Sequence, residues 1–535
     1  MNAMKQCIYR TTIVLTIVLL VVSCARRGNP AGGPEDKLAP AVLKSSSPNF
    51  QTNFKGKTIT LNFNELVKFK DLQKQLIISP PLEKTPIIKP QAGVARKITI
   101  TFEDSLAANT TYMINFGQSI VDNNEENPLR FYKYVFSTGP VIDSLKLSGT
   151  VADALKNKVD PFVNVMLYEI NEEYNDSTIY KKPPNYVVNT LDSLTAYSLE
   201  NLKVGTYKLV ALKEKSVDYT FNPKVDNIGF ISEPITLPTS EQFKIQIFEP
   251  VQDPSIKRPS HEGANRLHVG YTGNLSQLTI EPLDKASITA SRITKLAGKD
   301  TLQYWYKTDK ELDTLRLKVA YKGFEEETYA AIKNRAKDSL QVTKTGNFSL
   351  REPLQLTGST PIAAIAQDII KLLRKDSTAV AVTSRLDLFN NIATLDFKSA
   401  EKEIYRLQLL PGAITDFFGK SNDTLNLNYT TKAIADYCSI TTTLKGGTMY
   451  PAIVQIVKED LKLVAEQVAR EDGAYAFDYL EPGSFYIRII YDTNDNGVYD
   501  PGDFLTNTQP EQVLYKPEVI KLTANRDARE TINLK

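Results

Sequence analysis

Apolar and polar residues alternate along much of the chain with a period of two. In the stretch KTITLNFN, the apolar residues Ile59, Leu61 and Phe63 fall on one face of an extended segment, and polar residues fall on the other. The stretches KITITF and YKYVF repeat this alternation. Such a period is typical of β-strands with one buried face. Because several strands of this kind follow one another with turn residues between them, the pattern predicts a β-sandwich.

The chain also repeats itself. The stretch AYSLENLKVGTYKLVALKEKSVDYTFNP, from Ala196, aligns without a gap to AYAFDYLEPGSFYIRIIYDTNDNGVYDP, from Ala474, at an offset of 278 residues. The stretch TYMINFGQSIVD, from Thr111, aligns to IYRLQLLPGAITD, from Ile404, with one insertion. Two kinds of sandwich are therefore predicted to occur twice each. The stretch KEDLKLVAEQVARED favours a helix by propensity, but its place in the repeat predicts strands.

Two segments resemble known families. The stretches GGPEDKLAPAVLKSSSPNF, LNFNELV, TTYMINFGQSIVDNNEENPL and YVFSTG are similar to the bacterial Ig-like domain near the start of lipoproteins of the Bacteroidota. The stretches LSGTVADALKNKVDPFVNVMLYE and AYSLENLKVGTYKLVALKE resemble the transthyretin-like, carboxypeptidase-regulatory type of β-sandwich. The resemblance implies an all-β fold and gives no partner.

These patterns together predict an all-β chain of tandem β-sandwich domains, in which an Ig-like and transthyretin-like pair is duplicated around an intervening β segment. The predicted segments are a signal peptide (1–23), a flexible tether (24–37), an Ig-like domain (38–140), a transthyretin-like sandwich (141–250), a linker (251–266), a β domain (267–340), a second Ig-like domain (341–434) and a second transthyretin-like sandwich (435–535).

The N-terminus carries an export signal. Lys5 and Arg10 precede an apolar run over residues 12–22, and small residues precede Cys24. This run is too short to span a bilayer, so it predicts a signal peptide. The stretch VVSC resembles a bacterial lipobox, which implies cleavage before Cys24 and acylation of that residue. Several acyl chains would anchor the protein stably to a membrane. The alternative is an unlipidated signal peptide with a chance cysteine.

The expected location is the outer membrane. The residues after Cys24, ARRGN, lack the acidic cluster that resembles the surface-export signal of these lipoproteins. The periplasmic face is therefore favoured over the cell surface.

Composition argues against several classes of function. Lys and Arg total 64 against 62 for Asp and Glu, which gives no electrostatic reason to expect a nucleic-acid partner. Cys438 has no cysteine partner once Cys7 is removed and Cys24 is acylated, so disulfides are not expected. Two histidines, His261 and His268, do not make a zinc site or a persuasive catalytic triad. The chain is therefore predicted not to be an enzyme.

One loop near the C-terminus has the spacing of a calcium site. The stretch DTNDNGVYDPGD places oxygen donors at positions 1, 3, 5, 7, 9 and 12, with Gly497 at position 6, where a sharp bend is needed. The candidate ligands are Asp492, Asn494, Asn496, the carbonyl of Val498, Asp500 and Asp503. Oxygen donors alone favour calcium over a transition metal. The alternative is a hairpin turn without an ion, because Asp, Asn and Gly populate turns for their own backbone reasons.

The gapless alignment predicts that only the second copy of this loop binds calcium. The corresponding positions in the first copy hold Glu214, Ser216, Asp218, Tyr219, Asn222 and Val225. The glycine is lost, and an apolar side chain stands at the last position. Since the first loop closes without a full ligand set, the ion in the second copy is predicted to be structural.

Two further surface features carry alternatives. Tyr304 and Tyr306 share one face of a predicted strand, so they form either an exposed ligand-binding pair or flank a core residue, Trp305. Asp-Ser and Asp-Thr triplets resemble the O-glycosylation signal of exported proteins of the Bacteroidota, or else are turn residues that enter strands. The candidate acceptors are Ser105, Ser144, Ser177, Ser193, Thr301, Thr314, Ser339, Ser377 and Thr424.

The leading hypothesis is a non-enzymatic, lipid-anchored envelope protein that acts as a structural or accessory lipoprotein of an outer-membrane protein assembly, with a barrel protein as a possible partner. The alternative is a glycan-binding lipoprotein that uses Tyr304 and Tyr306. A hydrolase is a third hypothesis, because sequence does not measure the separation of carboxylates in stretches such as FEEET.

Overall fold

The computed structural model describes residues 36–190, 195–273, 278–321 and 323–534. Within these ranges the chain is almost entirely β-structure, which confirms the predicted fold class. The helices among these residues are all short: one α-helix, α1 (Leu72–Gln75), and three 3-10 helices (Thr178–Tyr180, Gln367–Ile369 and Ile434–Asp436). None of them is long and apolar enough to cross a membrane. The chain divides into two compact units, Met1–Ile142 and Asp143–Lys535.

The first unit is a sandwich of two antiparallel sheets. Its strands are β1 (Val42–Ser45), β2 (Thr58–Phe69), β3 (Ile77–Ser79), β4 (Ile87–Lys89), β5 (Ala95–Thr101), β6 (Thr111–Asn115), β7 (Ile120–Asp122) and β8 (Lys133–Ser137). One sheet has the order β1-β2-β5-β4, with β7 on the far half of β2, and the other has the order β3-β6-β8. The face predicted from alternation, Ile59, Leu61 and Phe63, lies in the core.

The second unit begins with a sandwich that we call the first repeat (residues 143–250). Its strands are β9 (Leu145–Asp153), β10 (Asn164–Glu169), β11 (Tyr186–Asn189), β12 (Ala196–Leu202), β13 (Gly205–Lys213), β14 (Asn227–Phe230), β15 (Ile235–Leu237) and β16 (Gln242–Ile247). The sheets have the orders β12-β9-β16 and β11-β10-β13-β14, with β15 also paired to β13. Strands β9 and β16 run parallel.

The next sandwich begins inside the segment that we predicted to be a linker. Its strands are β17 (Ser255–Ile256), β18 (Ser260–Gly263), β19 (Arg266–Thr272), β20 (Thr279–Pro282), β21 (Ala290–Lys295), β22 (Thr301–Lys307), β23 (Thr314–Tyr321) and β24 (Phe324–Ala331). Both β17 and β18 pair antiparallel with β19. The linker prediction for residues 251–266 is therefore wrong in part, because these polar residues bond to the edge of a sheet.

The following sandwich repeats the pairing of the first unit. Its strands are β25 (Val342–Thr345), β26 (Leu354–Gly358), β27 (Ile362–Ile365), β28 (Ile370–Leu373), β29 (Ala379–Val380), β30 (Thr383–Asp387), β31 (Ile392–Asp396), β32 (Ile404–Leu409), β33 (Ile414–Asp416) and β34 (Leu425–Thr430). The order β25-β26-β31-β30 matches β1-β2-β5-β4, and β28-β32-β34 matches β3-β6-β8. Asp122 and Asp416 end the matching strands β7 and β33, and both are buried.

The last sandwich, which we call the second repeat (residues 435–534), has the topology of the first. Its strands are β35 (Cys438–Lys445), β36 (Ala452–Lys458), β37 (Leu463–Ala469), β38 (Gly473–Leu480), β39 (Gly483–Tyr491), β40 (Val513–Tyr515), β41 (Ile520–Leu522) and β42 (Asp527–Asn533). The sheets are β38-β35-β42 and β37-β36-β39-β40, with β41 also paired to β39. Both ends of β13 and β39 differ by the predicted offset, which confirms the duplication. Strand β37 confirms a strand where propensity favoured a helix.

Candidate metal centre

The candidate loop follows β39 directly and is folded around the buried carboxylate of Asp492. Asp492 Oδ1 accepts the backbone N–H of Asn496 at 3.0 Å, and Oδ2 accepts that of Gly497 at 2.8 Å. Gly497 has a φ of 75°, which favours glycine because other side chains meet steric strain there. The first position and the bend of the predicted loop are therefore arranged as the spacing requires.

The side chains of Asn494, Asn496 and Asp500 converge. The Nδ2 groups of Asn494 and Asn496 donate to Asp500 Oδ2 at 2.6 and 2.7 Å. Asn496 Oδ1 accepts the N–H of Val498 at 2.9 Å, so the same residue braces the backbone. An amide that rotates about its last torsion presents oxygen in place of nitrogen, so both asparagines have oxygens to offer a cation beside Asp500.

A carboxylate that the sequence analysis missed closes the loop. Glu511 is buried; its Oε1 accepts the N–H of Thr493 at 2.7 Å and its Oε2 accepts the N–H of Asp500 at 3.0 Å. The Glu511 N–H donates in turn to the carbonyl of Asp500 at 3.0 Å. Glu511 lies outside the twelve-residue window, so spacing alone gave no signal for it.

Asp503, the predicted ligand at position 12, is engaged elsewhere. Its Oδ1 accepts the N–H of Leu505 at 2.8 Å, and its backbone pairs with Thr508. The side chain caps a turn of its own, because the chain leaves the loop after Asp500. The placement of Asp503 in the ligand set is therefore corrected, and Glu511 takes the closing position.

The residues of this loop could hold a hard cation only with amide oxygens and carboxylate oxygens together. Among the described residues, no three His, Cys, Asp or Glu side chains lie together closely enough to hold a metal. A calcium ion at this loop would therefore need the amide oxygens of Asn494 and Asn496 beside the carboxylates of Asp492 and Asp500, with Glu511 holding the two ends of the loop through its backbone bonds. Calcium accepts such oxygen sets with flexible geometry.

Asp495, at position 4, belongs to a separate contact. Its two carboxylate oxygens accept from the Arg470 guanidinium at 2.9 and 3.0 Å. This hydrogen bond lowers the pKa of Asp495. The side chain is therefore committed to Arg470.

The first repeat builds the same frame around different side chains. Glu214 Oε2 accepts the N–H of Asp218 at 3.2 Å and that of Tyr219 at 3.0 Å, which matches the bonds of Asp492 at the offset of 278 residues. Tyr219 has a φ of 58° where Gly497 stands in the second repeat. The bend therefore survives the loss of glycine, at the cost of backbone strain.

The closing carboxylate also has a counterpart. Asp226 is buried; its Oδ1 accepts the N–H of Lys215 at 3.1 Å and its Oδ2 accepts that of Asn222 at 2.8 Å. Lys215 and Asn222 correspond to Thr493 and Asp500. Our assignment of Val225 to the last position was therefore wrong, because the matched hydrogen bonds reach Asn222 and Asp500 and the segments that follow them differ in length. Asp226 therefore closes the first loop in the way that Glu511 closes the second.

The first loop also differs in the protonation of its leading carboxylate. Glu214 Oε1 accepts Asn164 Nδ2 at 2.6 Å, and burial raises the pKa of Glu214 to about 7. At neutral pH this side chain is partly protonated, so it offers a cation less than a full negative charge.

The aromatic pair proposed for ligand binding is in a core. Tyr304 and Tyr306 are 0 % and 1 % exposed and stack on each other within the sandwich core. Trp305, on the other face of β22, is also buried; its Nε1 donates to Thr294 Oγ1 at 2.9 Å, and its ring meets Phe418 edge to face. The exposed-pair prediction is wrong, because both faces of this strand are covered.

Other candidate residues have structural contacts. His261 Nδ1 accepts the N–H of Lys333 at 3.1 Å, and Gln303 Nε2 lies 3.2 Å from His268 Nε2. The buried Cys438 thiol donates to the carbonyl of Leu480.

The candidate glycosylation positions are mostly accessible. Those on the exposed surface are Ser105, Ser144, Ser177, Thr314, Ser339, Ser377 and Thr424. Thr301 is half-buried, and Ser193 lies outside the described residues, as do Cys24 and the predicted signal peptide. Several of these positions also directly precede or begin strands, so glycosylation stays a prediction.

Fold and comparison agree on the class of the N-terminal part. The chain is an all-β protein of tandem sandwiches, and residues 36–138 match the family model for a bacterial Ig-like domain. That match covers almost all of the Ig-like domain predicted at 38–140. No curated protein matches the chain.

Solved structures of low similarity also align. They include the surface layer protein SbsC, domains 1-6, at 10% identity over 91% of this chain and 68% of that one, with a TM-score of 0.16. Salmonella alpha-2-macroglobulin reacted with methylamine aligns at 8% identity over 89% and 42%, with a TM-score of 0.15. The major pilin subunit BcpA* of Bacillus cereus aligns at 11% identity over 73% and 99%, with a TM-score of 0.14.

Proposed function

We propose that this chain is a non-enzymatic, lipid-anchored protein of the bacterial cell envelope that serves as a structural or accessory lipoprotein of an outer-membrane protein assembly. The observation that supports it best is the architecture: an Ig-like domain at the N-terminus is followed by further sandwiches, and both sandwich types occur twice. Arrays of this kind hold surfaces apart and present loops and edges to partners. The lipobox-like VVSC, which ends at Cys24, supports the anchor.

We also propose that the two repeats are transthyretin-like sandwiches. The protein is proposed to lie on the periplasmic face of the outer membrane. The glycan-binding alternative is not retained, because its aromatic pair lies in a core.

Cell fractionation and affinity purification test this proposal. The wild-type chain should fractionate with the outer membrane, and Cys24→Ser should release it to the soluble fraction. A pull-down of the wild-type chain from detergent-solubilised envelope should recover a barrel protein. Degradation by protease added to intact cells would contradict the periplasmic face, and membrane retention of the Cys24→Ser variant would contradict the acyl anchor.

We also propose that the loop of the second repeat binds calcium structurally. The buried carboxylates of Asp492 and Glu511 fix the two ends of the loop, and Asn494, Asn496 and Asp500 supply further oxygens between them. A bound cation would replace the amide hydrogens that now meet Asp500, and would stiffen a long connection between β39 and β40.

A further inference from the structure

The loop of the second repeat is longer than its counterpart, and the extra length falls in one place. Ten residues (501–510) separate Asp500 from Glu511, whereas three (223–225) separate Asn222 from Asp226, so the second loop has seven additional residues. The hydrogen bonds at both feet are the same in the two repeats. The extra residues are therefore an insertion into a shared frame.

The insertion folds as a small hairpin. Asp503 and Thr508 exchange two backbone hydrogen bonds of 2.8 Å each. Asp503 Oδ1 caps the turn by accepting the N–H groups of Leu505 and Thr506. The hairpin is thus held in shape by its own bonds, which lowers the entropic cost of docking it.

The tip of this hairpin buries an aromatic ring against the first repeat. Phe504 is 6 % exposed and meets Phe230 edge to face, with ring centroids 5.2 Å apart. Phe230 in turn meets Phe248 at 6.2 Å. A Cβ on Gly502 would lie 2.7 Å from the Phe248 ring, so the absence of a side chain allows the backbone to approach. Leu505, the next residue, is 62 % exposed.

Polar contacts surround the ring. Gln509 Nε2 donates to the carbonyl of Phe230 at 3.1 Å and to Ser232 Oγ at 3.0 Å. Lys208 Nζ donates to the carbonyl of Ser232 at 3.0 Å and to Asn507 Oδ1 at 3.4 Å. An apolar centre with a satisfied polar rim is the arrangement of a specific interface.

A second contact lies outside the insertion. Arg488 Nη1 and Tyr515 Oη, on β39 and β40, both donate to the carbonyl of Leu155, at 3.3 and 2.8 Å. The two repeats therefore contact each other in two places: between β39–β40 and Leu155, and at the hairpin.

We propose that residues 501–510 form a clasp whose partner is the first repeat of the same chain. The clasp seats Phe504 beside Phe230 and joins two sandwiches whose matching residues are 278 positions apart. A structural change in the loop of the second repeat should therefore alter the stability of β14 in the first repeat. The proposal does not depend on calcium, because every contact named here is made by protein atoms.

Crosslinking of the full chain tests the partner. Ser232→Cys with Gln509→Cys should be joined by a short bismaleimide within a monomer, detected as a linked peptide by mass spectrometry. The control pair is Ser232→Cys with Glu459→Cys, an exposed position on the turn after β36, which should give little product. Product only in dimers, or equal product in both pairs, would overturn the proposal.

Hydrogen exchange of the full chain tests the coupling. Phe504→Ala should raise the exchange rate of the β14 amides about tenfold, because their aromatic cover is lost. Leu505→Ala, on the exposed neighbour, should leave that rate unchanged. Gln509→Ala should raise it in the same direction by removing the bond to Phe230. Unchanged exchange at β14 in both Phe504→Ala and Gln509→Ala would refute the clasp.

Discussion

At the scale of single residues, the loop shows what spacing can and cannot predict. Asp492 and Gly497 were predicted because they lie at fixed short separations within a continuous turn. Asp503 was predicted at the closing position and Glu511 was missed, because extra residues between Asp500 and Glu511 break the count. Only the hydrogen bonds that Glu511 makes to both ends of the loop reveal its role.

Calcium binding can be tested with variants of these residues. A ligand that binds only the folded state adds RT ln(1 + [L]/Kd), about 2.7 kcal/mol at a hundredfold excess over Kd. Asp492→Ala and Glu511→Ala should each abolish the rise in melting temperature that calcium gives the wild type, measured by calorimetry. Asp503→Ala should retain that rise, since its side chain caps the clasp turn.

The matched control is Asp495→Ala, because the Asp495 side chain pairs with Arg470. It should retain the calcium response. Equal melting temperatures of the wild type in calcium and in chelator would show that the loop is only a turn.

Glu214 in the first repeat predicts a pH dependence. Its folded pKa is raised from 4.5 to about 7, so the folded state holds a proton that the unfolded state releases. Stability from this group is full below about pH 4.5 and is lost as pH rises through about 7. Glu214→Gln should remove that loss and be more stable than the wild type at pH 8, by about 1 kcal/mol after allowance for solvent screening.

Urea unfolding of residues 143–535 at pH 5 and pH 8 measures the effect. The exposed Glu169→Gln is the control and should keep the wild-type slope. A Glu214→Gln variant that loses as much stability as the wild type between these pH values would contradict the assignment.

At the scale of strands, the alternation of apolar and polar residues predicted where strands occur better than it predicted which of their faces are buried. The faces of β2 and β5 were predicted because one side of each is polar. Strand β22 was predicted only in part, because a period of two places Tyr304 and Tyr306 on one face and Trp305 on the other but does not say that both faces are covered. Polar composition likewise hid β17 and β18, since an edge strand gains its hydrogen bonds from the backbone whatever its side chains.

The burial of β22 gives a stability prediction. Tyr304→Ala should lower the free energy of unfolding of its sandwich by about 3–5 kcal/mol, because it empties a large core site. Tyr329→Ala, on the exposed face of β24, should cost less than about 1 kcal/mol. Denaturant unfolding of residues 143–535 compares them. A Tyr304→Ala variant as stable as the wild type would show that this ring is not part of the core.

At the scale of the molecule, the repeat itself was visible in the sequence, but the contact between its copies was not. Alignment shows where two copies are alike, and seven of the ten clasp residues have no counterpart in the first repeat. Phe230 and Phe504 are also too far apart in the chain for any local pattern to relate them. The greater length of the second loop therefore gives one copy a surface feature that fits the other.

If both proposals hold, calcium should act across the clasp. An ion that stiffens the loop of the second repeat also fixes the two ends of the hairpin, so it should favour the docked state of the clasp. By linkage, docking should in turn raise the affinity of the loop for the ion. Calcium should therefore slow amide exchange at β39 and at β14 in the full wild-type chain. Half-saturation is expected on the order of 10⁻⁴ to 10⁻³ M, as in extracellular calcium modules.

In Phe504→Ala the two effects should separate, with β39 still protected by calcium and β14 no longer responding. Leu505→Ala should behave as the wild type, because its side chain faces solvent. Calcium without effect on either strand of the wild type would refute the metal site and leave the clasp standing. Protection of β39 alone in the wild type would instead show that calcium binding in the loop is not coupled through the clasp to the stability of β14.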